Sequence, residues 1–184
     1  MSTKIKVQFW LVSGLILITA LSRLLPHLPN FSPIGAICLF GAAQFQNRKL
    51  AILVPLLAIW ISDILVNNII YAAYFDGFQL FYEGFHWQYI SYIVTVLAGM
   101  LILKSITIKS IAKGTVMATL LFFVISNFGV WISGTMYPLT GKGFVSCYAA
   151  AIPFLGGTFV GNSVYTAILF GGYALLSKRL FATN

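Results

Sequence analysis

Charged side chains are scarce in this sequence. Lys, Arg, Asp and Glu together make up 8% of the 184 residues, and only three of those residues are acidic. A soluble domain carries about 25% charged residues, so this chain could not cover a water-facing surface. The 60% apolar content and the mean hydropathy of +0.95 predict an all-α integral membrane protein. The length leaves room for a single transmembrane domain, residues 1–184, and for no separate soluble one.

The motifs of soluble enzymes are also missing. The segment "LTGKGF" resembles the end of a phosphate-binding loop, but Met136 stands where that loop needs glycine. No nucleophile has an obvious histidine partner, and no metal-ligand spacing is present. Cys38 and Cys147 fall at different depths, which favours free buried thiols over a disulfide. We therefore expect neither an enzyme nor a resident cofactor.

Apolar segments give the expected architecture, since crossing ~30 Å of hydrocarbon takes about 20 residues. We identify six apolar segments and expect one compact bundle of six transmembrane helices. The second segment is short, so it spans only if its neighbours shield it. Residues Phe144–Leu155 are a candidate for an extra half-helix before Pro153. The six predicted spans are Phe9–Leu25, Pro33–Gln46, Leu50–Ala73, Gln88–Lys104, Thr115–Gly134 and Gly156–Ser177.

The basic residues predict the orientation, because cytoplasmic loops carry an excess of Lys and Arg. An N-terminus in the cytoplasm puts nine basic residues inside and only Arg23 and Lys142 outside. We expect both termini in the cytoplasm, and the net charge of +8 suits anionic inner-leaflet lipid. The charges lie in short turns and form no extended basic face, which argues against nucleic acid as a partner. The nine inside are Lys4, Lys6, Arg48, Lys49, Lys104, Lys109, Lys113, Lys178 and Arg179.

Polar groups within the spans are the best guide to function, because they are costly in hydrocarbon unless paired or functional. Asp63 is the only acid inside a span, and Arg23 closes the first helix at the same depth. We expect the two to form an ion pair, which either locks the helices or lines an outward polar cavity; both can hold. Asn127 and Asn162 fit hydrogen bonds between helices as well as ligand contacts. Gly157 and Gly161 form a GxxxG spacing, which predicts a close helix crossing.

Aromatic residues are concentrated in the third connection. Between Tyr71 and Tyr92, ten of 22 residues are aromatic, a third of the chain's 29. This loop fits a mobile lid over a ring-shaped ligand, or a segment that lies on the membrane surface. His86 lies within this loop, and a histidine in such a position is more often a hydrogen-bonded surface residue than a metal ligand.

Three prolines in eight residues make the first connection stiff. Pro26, Pro29 and Pro33 remove backbone donors and fix local dihedral angles, so residues 27–32 cannot continue the first helix. We expect this segment to hold Asn30 and Phe31 in one wall of an outward-facing pocket.

The segments "RLLPHLPNFSPIGAICLFGA", "SNFGVW", "CYAAAIPF" and "GNSVYTAILFGG" resemble a poorly characterised family of small bacterial membrane proteins. That family is similar to the substrate-binding (S) components of energy-coupling-factor vitamin transporters. The resemblance covers nearly the whole chain and implies an S-component-like bundle in the cytoplasmic membrane. In S components the outer loops after the first, third and fifth helices close over the ligand. The resemblance thus brings the Pro-rich segment, the aromatic loop and "MYPLTGKGFVSCY" to one site.

We predict the substrate-binding residues from the polar and aromatic side chains described above and from the resemblance to S components. The aromatic loop from Tyr74 to Trp87 serves as the lid. The full set is Arg23, Asn30, Phe31, Asp63, Trp87, Asn127, Trp131, Tyr137, Cys147 and Asn162.

One departure concerns the partner. S components that dock to a shared energising module often carry Ala-x-x-x-Ala on the first helix, whereas here Ser13 faces Leu17 and Gly14 faces Ile18. The departure favours a solitary S component over one with an energising module. Solitary relatives bind cobalamin, where a cysteine thiolate can hold the cobalt, and Cys147 is the candidate; an inert buried thiol is the alternative. The function expected is capture of a small vitamin-like compound, cobalamin first. The alternative is a structural or assembly subunit of a membrane complex.

Overall fold

The computed structural model describes residues 3–181, and within that range the chain forms a bundle of six α-helices with no β-strand. The expected all-helical class is thereby confirmed. The helices run up and down, so alternate connections lie at the same end of the bundle. The helices are α1 (Thr3–Leu21), α2 (Ile34–Gln44), α3 (Arg48–Leu65), α4 (Phe85–Ile102), α5 (Ile108–Ile132) and α6 (Gly141–Phe181).

Five of these helices are long and apolar enough to cross a membrane, and α2 is the exception. Its 11 residues reach ~16 Å at ~1.5 Å per residue, about half of the hydrocarbon thickness. The helices indicate a membrane protein. The number of complete spans remains a prediction, because α2 alone cannot bridge the bilayer.

Helix α2 occupies the centre of the bundle. It contacts each of the other five helices, and its residues 36–42 are all buried. Gly41 packs directly on the ring of Pro55 in α3, where a Cβ atom would have no room. A short helix surrounded in this way needs no contact with lipid, which is the shielding that the sequence required of it.

Local sequence signals explain where several helices begin. The side chain of Asn47 accepts hydrogen bonds from the backbone of Lys49 and Leu50 and so caps α3. Thr107 and Ser110 form a reciprocal capping box at the start of α5. Gly84, with φ of 75°, takes the left-handed conformation that precedes α4.

Helix α6 differs from the prediction. A separate half-helix before Pro153 is wrong, because α6 continues without interruption from Gly141 to Phe181. Proline removes one backbone donor but is tolerated within membrane helices, where neighbours satisfy the freed carbonyl. The last span is therefore longer at its N-terminal end than the predicted Gly156–Ser177.

The Pro-rich connection between α1 and α2, residues 25–33, reverses the direction of the chain, and we call it the hairpin. Helix α1 ends at Leu21, a single 3₁₀ turn follows, and no further helix forms until Ile34, as predicted. Asn30 has φ of 57°, a left-handed conformation that Asn tolerates better than most residues.

The GxxxG spacing in α6 serves this hairpin. A Cβ atom on Gly157 would lie 2.6 Å from the carbonyl oxygen of Pro29. A Cβ atom on Gly161 would lie 2.6 Å from the backbone nitrogen of Ser32. The prediction that these glycines form a close crossing between helices is therefore wrong. They let the backbone of the hairpin approach α6 instead.

Candidate functional site

Two adjoining cavities lie beneath the hairpin. One has a volume of about 520 Å³ and the other about 460 Å³. Four residues line both cavities and form the boundary between them: Asn30, Gln88, Phe122 and Thr158. The two cavities are therefore neighbouring parts of one site, and we call them the hairpin chamber and the aromatic chamber.

The hairpin chamber is the larger and lies against the hairpin, α4 and α6. Its polar lining comes from side chains on several different elements, which converge on one space only because the bundle folds. Those side chains are Arg23, His27, Asn30, Ser32, Tyr71, Gln88, Tyr92, Thr95, Thr158 and Asn162. No acidic residue lines it among the residues that the structure describes.

The aromatic chamber lies between the start of α4, the end of α5 and the middle of α6. Trp87 packs so closely on Gly129 that a Cβ there would overlap the indole. The indole also meets Phe128 edge-on, with ring centroids 5.2 Å apart. Other lining includes Phe122, Phe123 and Phe154, with one acid, Glu83. Flat apolar faces with a few polar groups suit a small ring compound.

Arg23 and Asp63 form the predicted ion pair. The distance from Arg23 Nη1 to Asp63 Oδ1 is 2.6 Å, and the same nitrogen lies 2.6 Å from Ser62 Oγ. Tyr89 donates its hydroxyl to the other carboxylate oxygen at 2.8 Å. Asp63 is therefore satisfied on both oxygens and is not part of the chamber lining, whereas Arg23 is. Both expected roles are therefore present. Asp63 holds Arg23 in place and links the helices, and Arg23 lines the cavity.

Gln88 is held by two tyrosines. Its Oε1 accepts hydrogen bonds from the hydroxyls of Tyr82 at 2.8 Å and Tyr92 at 3.0 Å. Tyr82 lies in the loop before α4. A phenol is protonated at neutral pH, and burial raises the pKa of this one further, so its hydroxyl is a donor. Because both hydroxyls donate to Oε1, Nε2 is the amide group left available to the chambers.

The two asparagines have different surroundings. Asn162 is 2% exposed and donates through Nδ2 to Thr119 Oγ1 at 3.0 Å, so the predicted bond between helices is confirmed. It also lines the hairpin chamber. Asn127 instead donates within its own helix, to the carbonyl of Phe123 at 2.7 Å, and lines the aromatic chamber.

Half of the residues expected to bind substrate line a chamber, namely Arg23, Asn30, Trp87, Asn127 and Asn162. Asp63 supports Arg23 from behind. Four others lie outside both linings: Phe31, Trp131, Tyr137 and Cys147.

Local contacts account for three of these four. The ring of Phe31 packs on Tyr165, with centroids 5.6 Å apart. Trp131 donates its indole N–H to the carbonyl of Pro138 at 3.2 Å, which closes the turn between α5 and α6. Cys147 is 2% exposed, and its Sγ lies 3.5 Å from the backbone oxygen of Asn127, behind the aromatic chamber. No group of three or more His, Cys, Asp or Glu side chains that could hold a metal occurs among residues 3–181.

The aromatic loop is anchored at its middle. Asn68 donates to the carbonyl of Gln79 and accepts from its backbone N–H, at 2.8 and 2.7 Å. The indole of Trp60 stacks on Phe81, with centroids 6.1 Å apart. Only the last part of the expected lid reaches a chamber, through Glu83, Gly84 and Trp87.

The other end of this loop is open to the surroundings. The rings of Tyr74 and Phe78 are 82% and 71% exposed and line neither chamber. That this part of the loop closes over a ligand as a lid stays a prediction.

Sequence reasoning missed Gln88, Tyr92 and Thr158. A usable signal was present, because Gln88, Ser91, Tyr92 and Thr95 repeat at helical spacing within one apolar segment. Such a polar stripe in a membrane helix faces the protein interior.

Residues 3–183 match the model of a family of unknown function, DUF6580, and the chain belongs to that family. No curated protein and no solved structure matches the chain.

Proposed function

We propose that this protein captures a small vitamin-like compound at the membrane and holds it in the two chambers beneath the hairpin. The observation that carries the proposal is the convergence of buried amides, an arginine and aromatic rings on one space inside an otherwise apolar bundle. Polar groups are costly in a membrane bundle, and those not needed for packing mark ligand paths.

The volumes favour a compact ligand. Pockets for small molecules span ~300–1,000 Å³, and the chambers measure about 460 and 520 Å³. A single-ring or two-ring vitamin would fit one chamber or extend across the boundary at Gln88 and Phe122. Cobalamin, the first candidate from the sequence resemblance, is larger and would need the hairpin and the aromatic loop to move apart.

The basic residues support an orientation for this uptake. With both termini in the cytoplasm, the nine-to-two distribution of Lys and Arg obeys the positive-inside rule. The hairpin and both chambers then face the outer side of a bacterial cytoplasmic membrane, where a nutrient arrives. The face of α1 around Gly14 has open space, and Ile18 is 69% exposed beside it. We propose a solitary protein, because this face lacks paired alanines.

Equilibrium titration of purified protein in detergent tests the proposal. The panel contains riboflavin, biotin, nicotinate, thiamine and cobalamin. We expect one class to bind, and we expect Asn30→Ala, Trp87→Ala and Asn127→Ala to weaken that binding at least ~10-fold. Asn67→Ala is the matched control, because Asn67 lines neither chamber. Unchanged affinity in all three chamber variants would show that the site lies elsewhere.

The second candidate is an assembly subunit of a membrane complex, favoured by one observation. Tyr74 and Phe78 line neither chamber and are strongly exposed, as expected for rings that contact another chain or the membrane surface. Mild-detergent purification followed by cross-linking at Phe78 tests this alternative. A specific partner crosslink, together with no ligand from the panel, would replace capture with assembly.

A further inference from the structure

We propose that the hairpin chamber selects a ligand by a hydrogen-bond acceptor, such as a carboxylate or a ring carbonyl, and rejects ligands that carry an ammonium group there. This inference rests on the proposed capture function and specifies the chemistry of its substrate. It follows from which atoms of three side chains are already occupied within the protein.

Gln88 supplies the first donor. Its Oε1 accepts hydrogen bonds from the hydroxyls of Tyr82 and Tyr92, each of which donates its proton to that oxygen. The amide therefore presents Nε2, and no described residue accepts a hydrogen bond from that nitrogen. Gln88 lines both chambers, so this donor lies at their boundary.

Arg23 supplies the second donor and the charge. Its Nη1 is taken by Ser62 and Asp63, while Nε and Nη2 have no hydrogen-bond partner among the described residues. Arg23 lines the hairpin chamber, and its side chain is 16% exposed. A planar guanidinium with free donors matches the geometry of a carboxylate or carbonyl oxygen.

Asn162 limits the shape of the acceptor. Thr119 donates its own hydroxyl to Thr115, so it must accept from Asn162 Nδ2, and the Asn162 Oδ1 is left without a partner. Asn162 is only 2% exposed and lines the same chamber. The same chamber is lined by Ser32, whose buried hydroxyl also has no partner among the described residues and can either donate or accept. With two donors, this acceptor and no acid among the described lining residues, the chamber fits a ligand that carries an oxygen acceptor and an N–H group. It gives an ammonium ion no counter-charge.

A probe series with one ring and three charges tests the selection. Nicotinate carries a carboxylate, nicotinamide a neutral carboxamide, and 3-(aminomethyl)pyridine an ammonium. Binding is measured by the change in tryptophan fluorescence, since Trp87 lines the adjoining chamber. We expect nicotinate and nicotinamide to bind at least ~10-fold more tightly than the amine.

Gln88→Glu is the decisive variant, because it keeps the size and the oxygen that both tyrosines contact but places a carboxylate at the donor position. We expect it to lower nicotinate affinity at least ~10-fold and to raise affinity for the amine, so that the selectivity ratio changes. Tyr82→Phe frees the amide to turn and should reduce the ratio while nicotinamide still binds. Gln46→Leu, at the opposite end of the bundle, is the control. The unfolding temperature of each ligand-free variant reports on folding.

The outcomes separate the two proposals. If the amine binds as well as nicotinate, and Gln88→Glu leaves the ratio unchanged, acceptor selection is wrong while capture stands. If no probe of any charge binds and no compound of the vitamin panel binds, capture itself is wrong and the selection falls with it. An inverted ratio in Gln88→Glu that retains the wild-type unfolding temperature supports both.

Discussion

Removing one partner of the Arg23–Asp63 pair is the most informative perturbation of this bundle. The two side chains are 16% and 6% exposed, so water screens their interaction little. Among the residues that the structure describes, Asp63→Leu leaves the guanidinium with Ser62 as its one hydrogen-bond partner, and it removes the acceptor of Tyr89. Arg23→Met leaves a buried carboxylate with Tyr89 alone. Each single change should therefore expose an unpaired charge to a low-dielectric interior.

The expected magnitude follows from burial. Breaking a buried ion pair by removing one partner costs ~3–5 kcal/mol, whereas replacing both partners by apolar residues is often nearly neutral. We expect each single variant to lose about 3 kcal/mol of unfolding free energy. The double variant Arg23→Met/Asp63→Leu should recover most of that loss. Tyr89→Phe removes only one hydrogen bond and should cost ~1.5–3 kcal/mol.

Equilibrium unfolding in mixed micelles, followed by circular dichroism, measures the wild type, the two single variants and the double variant as a double-mutant cycle, and Tyr89→Phe is measured beside them. We expect a coupling energy of about 5 kcal/mol between residues 23 and 63, since each single variant loses about 3 kcal/mol and the double variant only about 1 kcal/mol. Additive losses, with the double variant twice as unstable as either single one, would refute the view that the pair acts as one buried unit.

Three further predictions concern separate parts of the fold. Gly161→Ala should destabilise the bundle by ~1–3 kcal/mol in thermal unfolding, because its Cβ meets the backbone of Ser32, whereas Gly171→Ala, with open space, should not; equal effects would contradict the close approach. Asn68→Ala should release the aromatic loop, and limited proteolysis should then cut within residues 71–84 faster than in the wild type; an unchanged rate would show that other contacts hold it. A cysteine at Lys109 should resist an impermeant thiol reagent in intact cells, and labelling from outside would reverse the topology.

Much of the helical architecture could be predicted because hydrophobic length is nearly sufficient for it. The pairing of Arg23 with Asp63 was also predictable, since a lone acid in a span needs a partner at the same depth. The three prolines similarly indicated that the first connection is not helical, and the structure confirms it.

Other features depend on packing that one-dimensional patterns do not encode. The GxxxG spacing specifies a close approach but not what approaches, and here Gly157 and Gly161 meet the hairpin. The density of aromatic residues indicated a binding role for the loop, yet its two most exposed rings, Tyr74 and Phe78, line neither chamber. The orientation of the Gln88 amide depends on two tyrosines, one of them in that loop.

Native mass spectrometry of the protein, purified in mild detergent, is the decisive test of ligand capture in the two chambers. We expect a bound small molecule of defined mass on the wild type and on Asn67→Ala. We expect this mass to be lost or strongly reduced in Trp87→Ala and Asn127→Ala, because both residues line the aromatic chamber. A protein that carries only lipid, or a bound mass retained equally by both chamber variants, would contradict capture in this site.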